Sequence, residues 1–230
     1  MIKYNGKIVE QNHFPDGTLL IKQNPGENQL EFCYDEIHWF FESNEELVTL
    51  IYLTKHLRAN GVKDIILNMP YIPNGRQDRV KNSEDVFTLK YFADIINYLK
   101  FHIVYTLDPH SYVSEALIDN IAVLPPKFYI DNVIWRCKPD MLFFPDEGAM
   151  KRYSSMAEKE YTFGIKKRDW ATGKIEGLDV AGCIDKIKDS RILIVDDICS
   201  RGGTFYHGAK KLKELGAKEI LISPIDKMIL

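Results

Sequence analysis

Ile192-Leu-Ile-Val195 is an apolar run bounded by turn residues and too short for a buried helix, so it reads as a buried strand. It stops at two carboxylates, Asp196 and Asp197. A turn through Ser200 and Arg201 leads to Gly202-Gly203-Thr204, where a helical pattern begins. A strand that feeds a helix through a tight turn is half of a crossover unit, and such units build parallel sheets. The same junction constrains chemistry. Exposed N–H groups and the helix dipole favour an anion at a helix N-terminus. Glycine lets the backbone come close to it. Two adjacent acids repel a bare phosphate but suit sugar hydroxyls or a divalent cation. The ligand expected here carries ribose and phosphate side by side.

The rest of the chain repeats this alternation. Strands are expected within Phe32–Phe41, at Asp64–Pro70, His102–Asp108, Met141–Phe144 and Glu219–Ser223. Ser43-Asn-Glu-Glu46 has the form of a capping box, and Leu47, Leu50, Ile51 and Leu57 follow at helical spacing up to Gly61. Leu89, Phe92, Ile95, Ile96 and Leu99 mark a second amphipathic helix over Thr88–Leu99, and Gly203–Leu215 a third. Asp108-Pro109-His110, Asp146 and Asp196-Asp197 each follow a strand of parallel type, the edge where open α/β sheets bind ligands. Pro125-Pro126 interrupts two halves of similar plan, giving expected domains 1–127 and 128–230.

Charge and cysteine usage narrow the classes. With 30 basic and 33 acidic residues, the net charge of −3 gives no pull toward nucleic acid or an anionic membrane. No apolar stretch approaches the roughly 20 residues of a membrane span, and the N-terminus is not a signal peptide. Cys33, Cys137, Cys183 and Cys199 are scattered without metal-type spacing, as in a cytoplasmic protein with reduced thiols. Neither a Walker A nor a GxGxxG pattern occurs.

A second segment is as specific as the first. Met69-Pro-Tyr-Ile-Pro-Asn-Gly-Arg-Gln-Asp-Arg79 is kept out of a helix by two prolines and a glycine. Arg76 and Arg79 bracket Gln77 and Asp78, and planar guanidinium groups grip phosphate oxygens in pairs. Gln77 has the donor and acceptor to read a purine edge. This Pro-Tyr…Arg-Gln-Asp-Arg segment resembles the ATP-contacting loop of ribose-phosphate diphosphokinases (phosphoribosyl-pyrophosphate synthetases), which ordinary phosphoribosyltransferases lack. Phe14-Pro-Asp-Gly17 resembles the family's Phe-Ser-Asp-Gly, with Thr18 where a Glu is usual. Asp108-Pro-His110 is similar to Asp-Leu-His. Phe144-Pro-Asp-Glu-Gly-Ala-Met-Lys-Arg152 is similar to Ser-Pro-Asp-x-Gly-Gly-x-x-Arg. Gly164-Ile-Lys-Lys-Arg-Asp-Trp170 falls where the family carries a mobile loop with a Lys-x-Arg pair. The order is kept from about Phe14 to Ile225.

The resemblance implies an α/β fold of two tandem phosphoribosyltransferase-like domains, each a mainly parallel sheet flanked by helices. It implies transfer of the β,γ-diphosphate of MgATP to the 1-hydroxyl of a ribose 5-phosphate-type acceptor, with AMP released. Phe14, Asp16, Arg76, Gln77, Asp78 and His110 would contact ATP, with Phe14 and Asp16 reaching the adenine of a neighbouring subunit. His110 and Asp146 would hold Mg2+. Asp196, Asp197, Ser200, Arg201, Gly202, Gly203 and Thr204 would hold the ribose phosphate. Lys166 and Arg168 would be catalytic, with Lys167 as a competing register. The partners implied are small molecules and a second copy of the chain, at least a dimer.

Two departures stand out. Ser200-Arg201 replaces the family's Asp-Thr, so an acid is lost and a base gained beside the acceptor's tail. A more highly charged tail, the 5′-diphosphate of ADP-ribose, is therefore a second candidate acceptor. The chain also stops soon after Thr204, on the apolar run Met228-Ile-Leu230, which reads as a shortened chain or a strand covered by a partner. A phosphoribosyltransferase and a non-catalytic regulatory homologue are the competing classes. Arg76, Gln77 and His110 count against the first, and retention of Lys166, Arg168, His110 and Asp146 against the second.

Overall fold

The computed structural model describes residues 1–23, 34–168, 175–199 and 201–225, with the side chains of 166–168 and 175–176 outside that description. The chain divides into two compact units, Met1–Leu124 and Pro125–Leu230. No described helix is long and apolar enough to cross a membrane.

In the first unit a six-stranded sheet has the order β2-β1-β5-β6-β7-β8. These are Lys7–Ile8, Ile2–Tyr4, Asp35–Trp39, Ile65–Asn68, Ile103–Leu107 and Ile121–Leu124. The last four run parallel, and β1 and β2 close one edge antiparallel. Helices α1 (Glu45–Ala59), α2 (Thr88–Tyr98) and α3 (Val113–Leu117) make the crossovers. The strand order advances in one direction only, and right-handed crossovers then put successive helices on one side. The core agrees. Leu50, Leu53 and Leu57 of α1 and Leu89, Phe92 and Ile96 of α2 share a cluster with Ile37, Trp39, Ile65, Leu67 and Val104. A separate hairpin, β3 (Glu10–His13) with β4 (Leu19–Lys22), carries the Phe14–Gly17 turn at its tip.

The expected capping box at Ser43 is only half formed. Helix α1 starts at Glu45 with no side-chain cap. Buried Glu46 does reach back, accepting from the N–H groups of Glu42 (2.8 Å) and Ser43 (3.4 Å). It also accepts from Trp39 Nε1 at 3.0 Å, so this carboxylate joins the helix start to the end of β5.

In the second unit five strands have the order β11-β10-β9-β12-β13. They are Ile175–Gly182, Tyr161–Arg168, Met141–Phe144, Arg191–Asp196 and Glu219–Pro224. All pairs are parallel except β10 with β11. Helix α4 (Lys127–Cys137) leads into β9, α5 (Glu147–Tyr153) links β9 to β10, and α6 (Gly203–Glu214) links β12 to β13. These two crossovers leave the β9–β12 pair in opposite directions, so α5 and α6 take opposite faces. Phe205 and Leu212 of α6 cluster with Met141, Phe143, Ile192 and Ile194. Tyr153 of α5 meets the next residue along, Phe144, at 6.4 Å between ring centroids. The sheet therefore changes direction between β9 and β12, and a crevice opens at such a point outside the carboxyl ends.

One sequence expectation is overturned here. Gly164–Arg168 is not a loop but the outer half of β10, paired from Thr162 to Arg168 with β11. Lys166 faces Leu178 in register and Arg168 faces Ile175. Two long antiparallel arms satisfy their backbone groups against each other, which the basic sequence did not signal.

Candidate active site

Each of the acidic and His motifs follows a parallel strand directly. In the first unit β6 and β7 are neighbours, and their bonding continues past the strand ends, with Leu107 N–H donating to the Pro70 carbonyl at 3.1 Å. The loops that follow thus start side by side. Asp108 has φ +45°, a left-handed conformation that Asp tolerates better than most residues, and it turns the chain toward exposed His110. Gly75 lies next to His110: a Cβ on Gly75 would stand 3.8 Å from His110 Cβ.

Within the 69–79 loop the side chains divide into two groups. Arg76 is exposed. Gln77 Oε1 accepts from the Thr88 hydroxyl at 2.7 Å, which ties the loop to the first residue of α2. Asp78 is engaged inside the protein. It accepts from Arg79 Nε at 2.8 Å and from the Ser111 hydroxyl at 2.8 Å. The bond from Arg79, opposed by burial and reinforced by Ser111, holds the Asp78 carboxyl down at about 2. These bonds make Asp78 part of the loop's own structure.

Phe14 is 49 % exposed at its hairpin tip. Asp16, exposed on the same tip, accepts from Thr18 N–H (3.0 Å) and from the Thr18 hydroxyl (2.7 Å), bonds that lower its pKa. Thr18 and Asp16 thus order this turn between them. His13 Nε2 lies 2.7 Å from Glu45 Oε1 and links the hairpin to α1.

In the second unit Asp146 follows β9 and caps α5, its Oδ1 accepting from Ala149 N–H at 3.0 Å. Asp196 and Asp197 follow β12, so the three acids flank the point where the sheet changes direction. The Asp197 N–H donates to Asp196 Oδ1 at 3.1 Å, and Ile198 N–H to Asp197 Oδ1 at 2.8 Å. These bonds within the turn fix both carboxylates. Arg152, from the last turn of α5, lies 3.9 Å from Asp197 Oδ2, both side chains being mostly buried. The motif comparison reached Arg152 without giving it a role.

Gly202 then takes φ +71°, which favours glycine, and α6 begins at Gly203 with no side-chain cap. Thr204 in its first turn is half-buried, and Arg201 just before it is exposed. Cys199 packs against the β9–β12–α6 core. Ser200 lies outside the described residues, as do the side chains of Lys166 and Arg168.

No protein-family model matches the chain. Whole-chain comparison gives a different result. A ribose-phosphate pyrophosphokinase of Thermococcus kodakarensis is 28 % identical over 221 residues, covering 94 % of this chain and 76 % of the relative. That of Saccharolobus solfataricus is 25 % identical over 226 residues, with 96 % and 77 % covered. That of Pyrococcus abyssi is 27 % identical over 220 residues, with 93 % and 74 % covered. The chain is a divergent relative of the ribose-phosphate pyrophosphokinases. Its fold matches a phosphoribosylpyrophosphate synthetase from Mycobacterium smegmatis with a TM-score of 0.72, covering 94 % of this chain and 72 % of that one at 19 % identity. The two α/β units of this chain thus have the fold of that structure.

Two positions noted in the sequence take definite places in the structure. Thr18 bonds Asp16 within its own hairpin turn, and Arg201 stands exposed just before α6. The bond from the Ser111 hydroxyl to Asp78 was not legible in the sequence, because it depends on which side chains meet after folding.

Proposed function

We propose that the chain transfers the β,γ-diphosphate of MgATP to the 1-hydroxyl of a phosphorylated ribose, giving phosphoribosyl pyrophosphate and AMP. One observation carries the reading. A basic loop tied beside His110 follows β6 in one unit, and a fixed acidic pair precedes the uncapped N-terminus of α6 in the other. ATP and ribose phosphate call for those two chemistries in one chain.

Arg76 would grip the triphosphate, and the amide nitrogen of Gln77 would meet the adenine. Asp196 and Asp197, held by turn N–H groups, would accept hydrogen bonds from the ribose hydroxyls and orient the sugar. The N–H groups of α6 would seat the 5′-phosphate. The 1-hydroxyl oxygen then bonds to the β-phosphorus as the bond to the α,β-bridging oxygen breaks. The hydroxyl proton is lost, and AMP leaves. Positioning and charge complementarity dominate such transfers. Lys166 and Arg168 would place positive charge at the reacting phosphate from the β10 arm.

Among the described residues no group of three His, Cys, Asp or Glu is placed to hold a metal. Mg2+ in phosphate sites takes one or two protein ligands and fills the rest with phosphate and water. His110 in the first unit would offer a nitrogen to such an ion, and Asp146 in the second a hard oxygen. The ion would neutralise triphosphate charge when bound. The exposed Phe14 tip supports a site completed by a second copy, which light scattering tests: a monomer with full activity would count against it.

Arg201 supports ADP-ribose as the alternative acceptor, since a second phosphate would meet its guanidinium. Supplying ATP, Mg2+ and each acceptor and following AMP decides between them. Ribose 5-phosphate is expected to release AMP. Turnover of ADP-ribose alone would replace the acceptor, and no AMP with either would sink the transfer reading.

A further inference from the structure

The residue after His110 has no part in the activity proposed above, yet it is the point where two loops are joined. The Ser111 hydroxyl donates to Asp78 Oδ2 at 2.8 Å and accepts from Val113 N–H at 3.2 Å. Asp78 is held in turn by Arg79, through Nε at 2.8 Å and a second guanidinium nitrogen at 3.0 Å. On the other flank Gln77 is tied to Thr88 at 2.7 Å. The chain at Gly75 passes close to His110, where a Cβ on the glycine would stand 3.8 Å from His110 Cβ. The loop after β6 is therefore near the loop after β7 at Gly75 and bonded to it at Asp78–Ser111. That bond is a hydrogen bond to a charged acceptor whose side chain is only 12 % exposed.

We infer that Ser111 is a positioning residue that couples the 69–79 loop to His110, so that the two loops bind magnesium nucleotide as one unit. The physical reasoning is short. Loops are held by few contacts and sample many arrangements. A site whose binding-competent arrangement is only partly populated loses affinity by that fraction. A bond to a carboxylate is worth more than a neutral one, and removal of the hydroxyl leaves a mostly buried carboxylate with one donor fewer. The coupling acts on the ion-holding side of the site through His110, so it should matter more for magnesium nucleotide than for nucleotide alone.

The inference rests on the ATP reading of this site and is tested by binding rather than turnover. Calorimetry with a non-hydrolysable ATP analogue, with and without Mg2+, would compare the intact chain with Ser111→Ala, Ser111→Thr, Asp78→Asn and the Ser111→Ala/Asp78→Asn pair. Ser111→Ala is expected to weaken binding about tenfold with Mg2+ and by less than about threefold without it. Ser111→Thr keeps the hydroxyl and should stay within about twofold. The double variant should lose less than the sum of the two single losses, because both changes weaken the shared Ser111–Asp78 bond. Equal binding by Ser111→Ala and the intact chain would overturn the coupling. So would strictly additive losses, or a loss of equal size with and without Mg2+, which would mark general loosening. Failure of the intact chain to bind the analogue would overturn both readings. Normal binding and coupling with no AMP from any acceptor would leave the coupling standing and remove the transfer reading.

Discussion

Gly164 offers a direct test of how the β10 arm controls the acids at the end of β9. A Cβ built on Gly164 would stand 2.5 Å from the Pro145 carbonyl oxygen and 2.8 Å from Leu178 Cδ1. Leu178 can change rotamer. The Pro145 carbonyl is backbone, directly before Asp146, and cannot. Real Cβ atoms essentially never approach closer than 3.0 Å, so Gly164→Ala must part the two segments by about half an ångström. Overpacking of this kind costs about 1–3 kcal/mol. Reduced freedom of the unfolded chain returns about 0.4–1 kcal/mol. The expected net loss is about 1–2 kcal/mol, each worth roughly 4–8 °C in a unit of about 100 residues.

The same movement reaches the chemistry. Displacements of about 1 Å at a reacting centre can cost about 100-fold, so half of that should cost roughly tenfold in kcat/KM. Thermal unfolding and steady-state AMP release measure the two effects on one preparation. Gly177→Ala, on the facing β11 arm, is the stability control, because a Cβ there meets nothing within 4 Å. Its unfolding midpoint should be unchanged or slightly raised. If Gly164→Ala matches the intact chain in midpoint and in kcat/KM, the reasoning from close packing to Asp146 is wrong.

Two further perturbations test each unit by itself. Arg152→Met keeps the bulk of the side chain beside Asp197 but removes its charge, and should raise the KM for the sugar acceptor about five- to tenfold while moving the KM for ATP by less than twofold; equal shifts in both would refute a role confined to the ribose side. In the first unit the folded Asp78 carboxyl lies at about 2, below its unfolded value near 4, so its contribution is fully present above pH 4 and is lost as pH falls toward 2. Urea unfolding of the intact chain should therefore weaken more steeply over that window than unfolding of Asp78→Asn, and parallel curves would count against the Arg79 and Ser111 bonds.

The parts of this molecule that were legible in sequence are those where burial acts on consecutive residues. Ile192–Val195 and Met141–Phe144 are covered on both faces, so every position is apolar and the strand is visible without its partners. The acids and His110 were found because they follow such strands at once. The β10–β11 hairpin gave no such signal: Lys166, Lys167 and Arg168 continue a strand whose stability comes from the facing arm, and Gly164 is required by Pro145 rather than by a turn. Helix α4 was equally silent, since Ile130 is its one buried residue.

Strand order is a different kind of information. Whether β10 and β13 lie on the same or opposite sides of the β9–β12 pair is not written in any one of the four segments. Yet it decides whether Asp146 and Asp196-Asp197 flank a crevice or merely end two neighbouring strands. Packing settles it. Gly208 lets α6 lie against Phe143 and Ile194, since a Cβ there would stand 2.9 Å from the Phe143 ring. Tyr153 brings α5 to Phe144 on the other face. Adjacent aromatics in one four-residue strand thus send the two helices to opposite sides. The change of direction beside the acids follows from that split, with Arg152 on α5 carried to Asp197 as part of it.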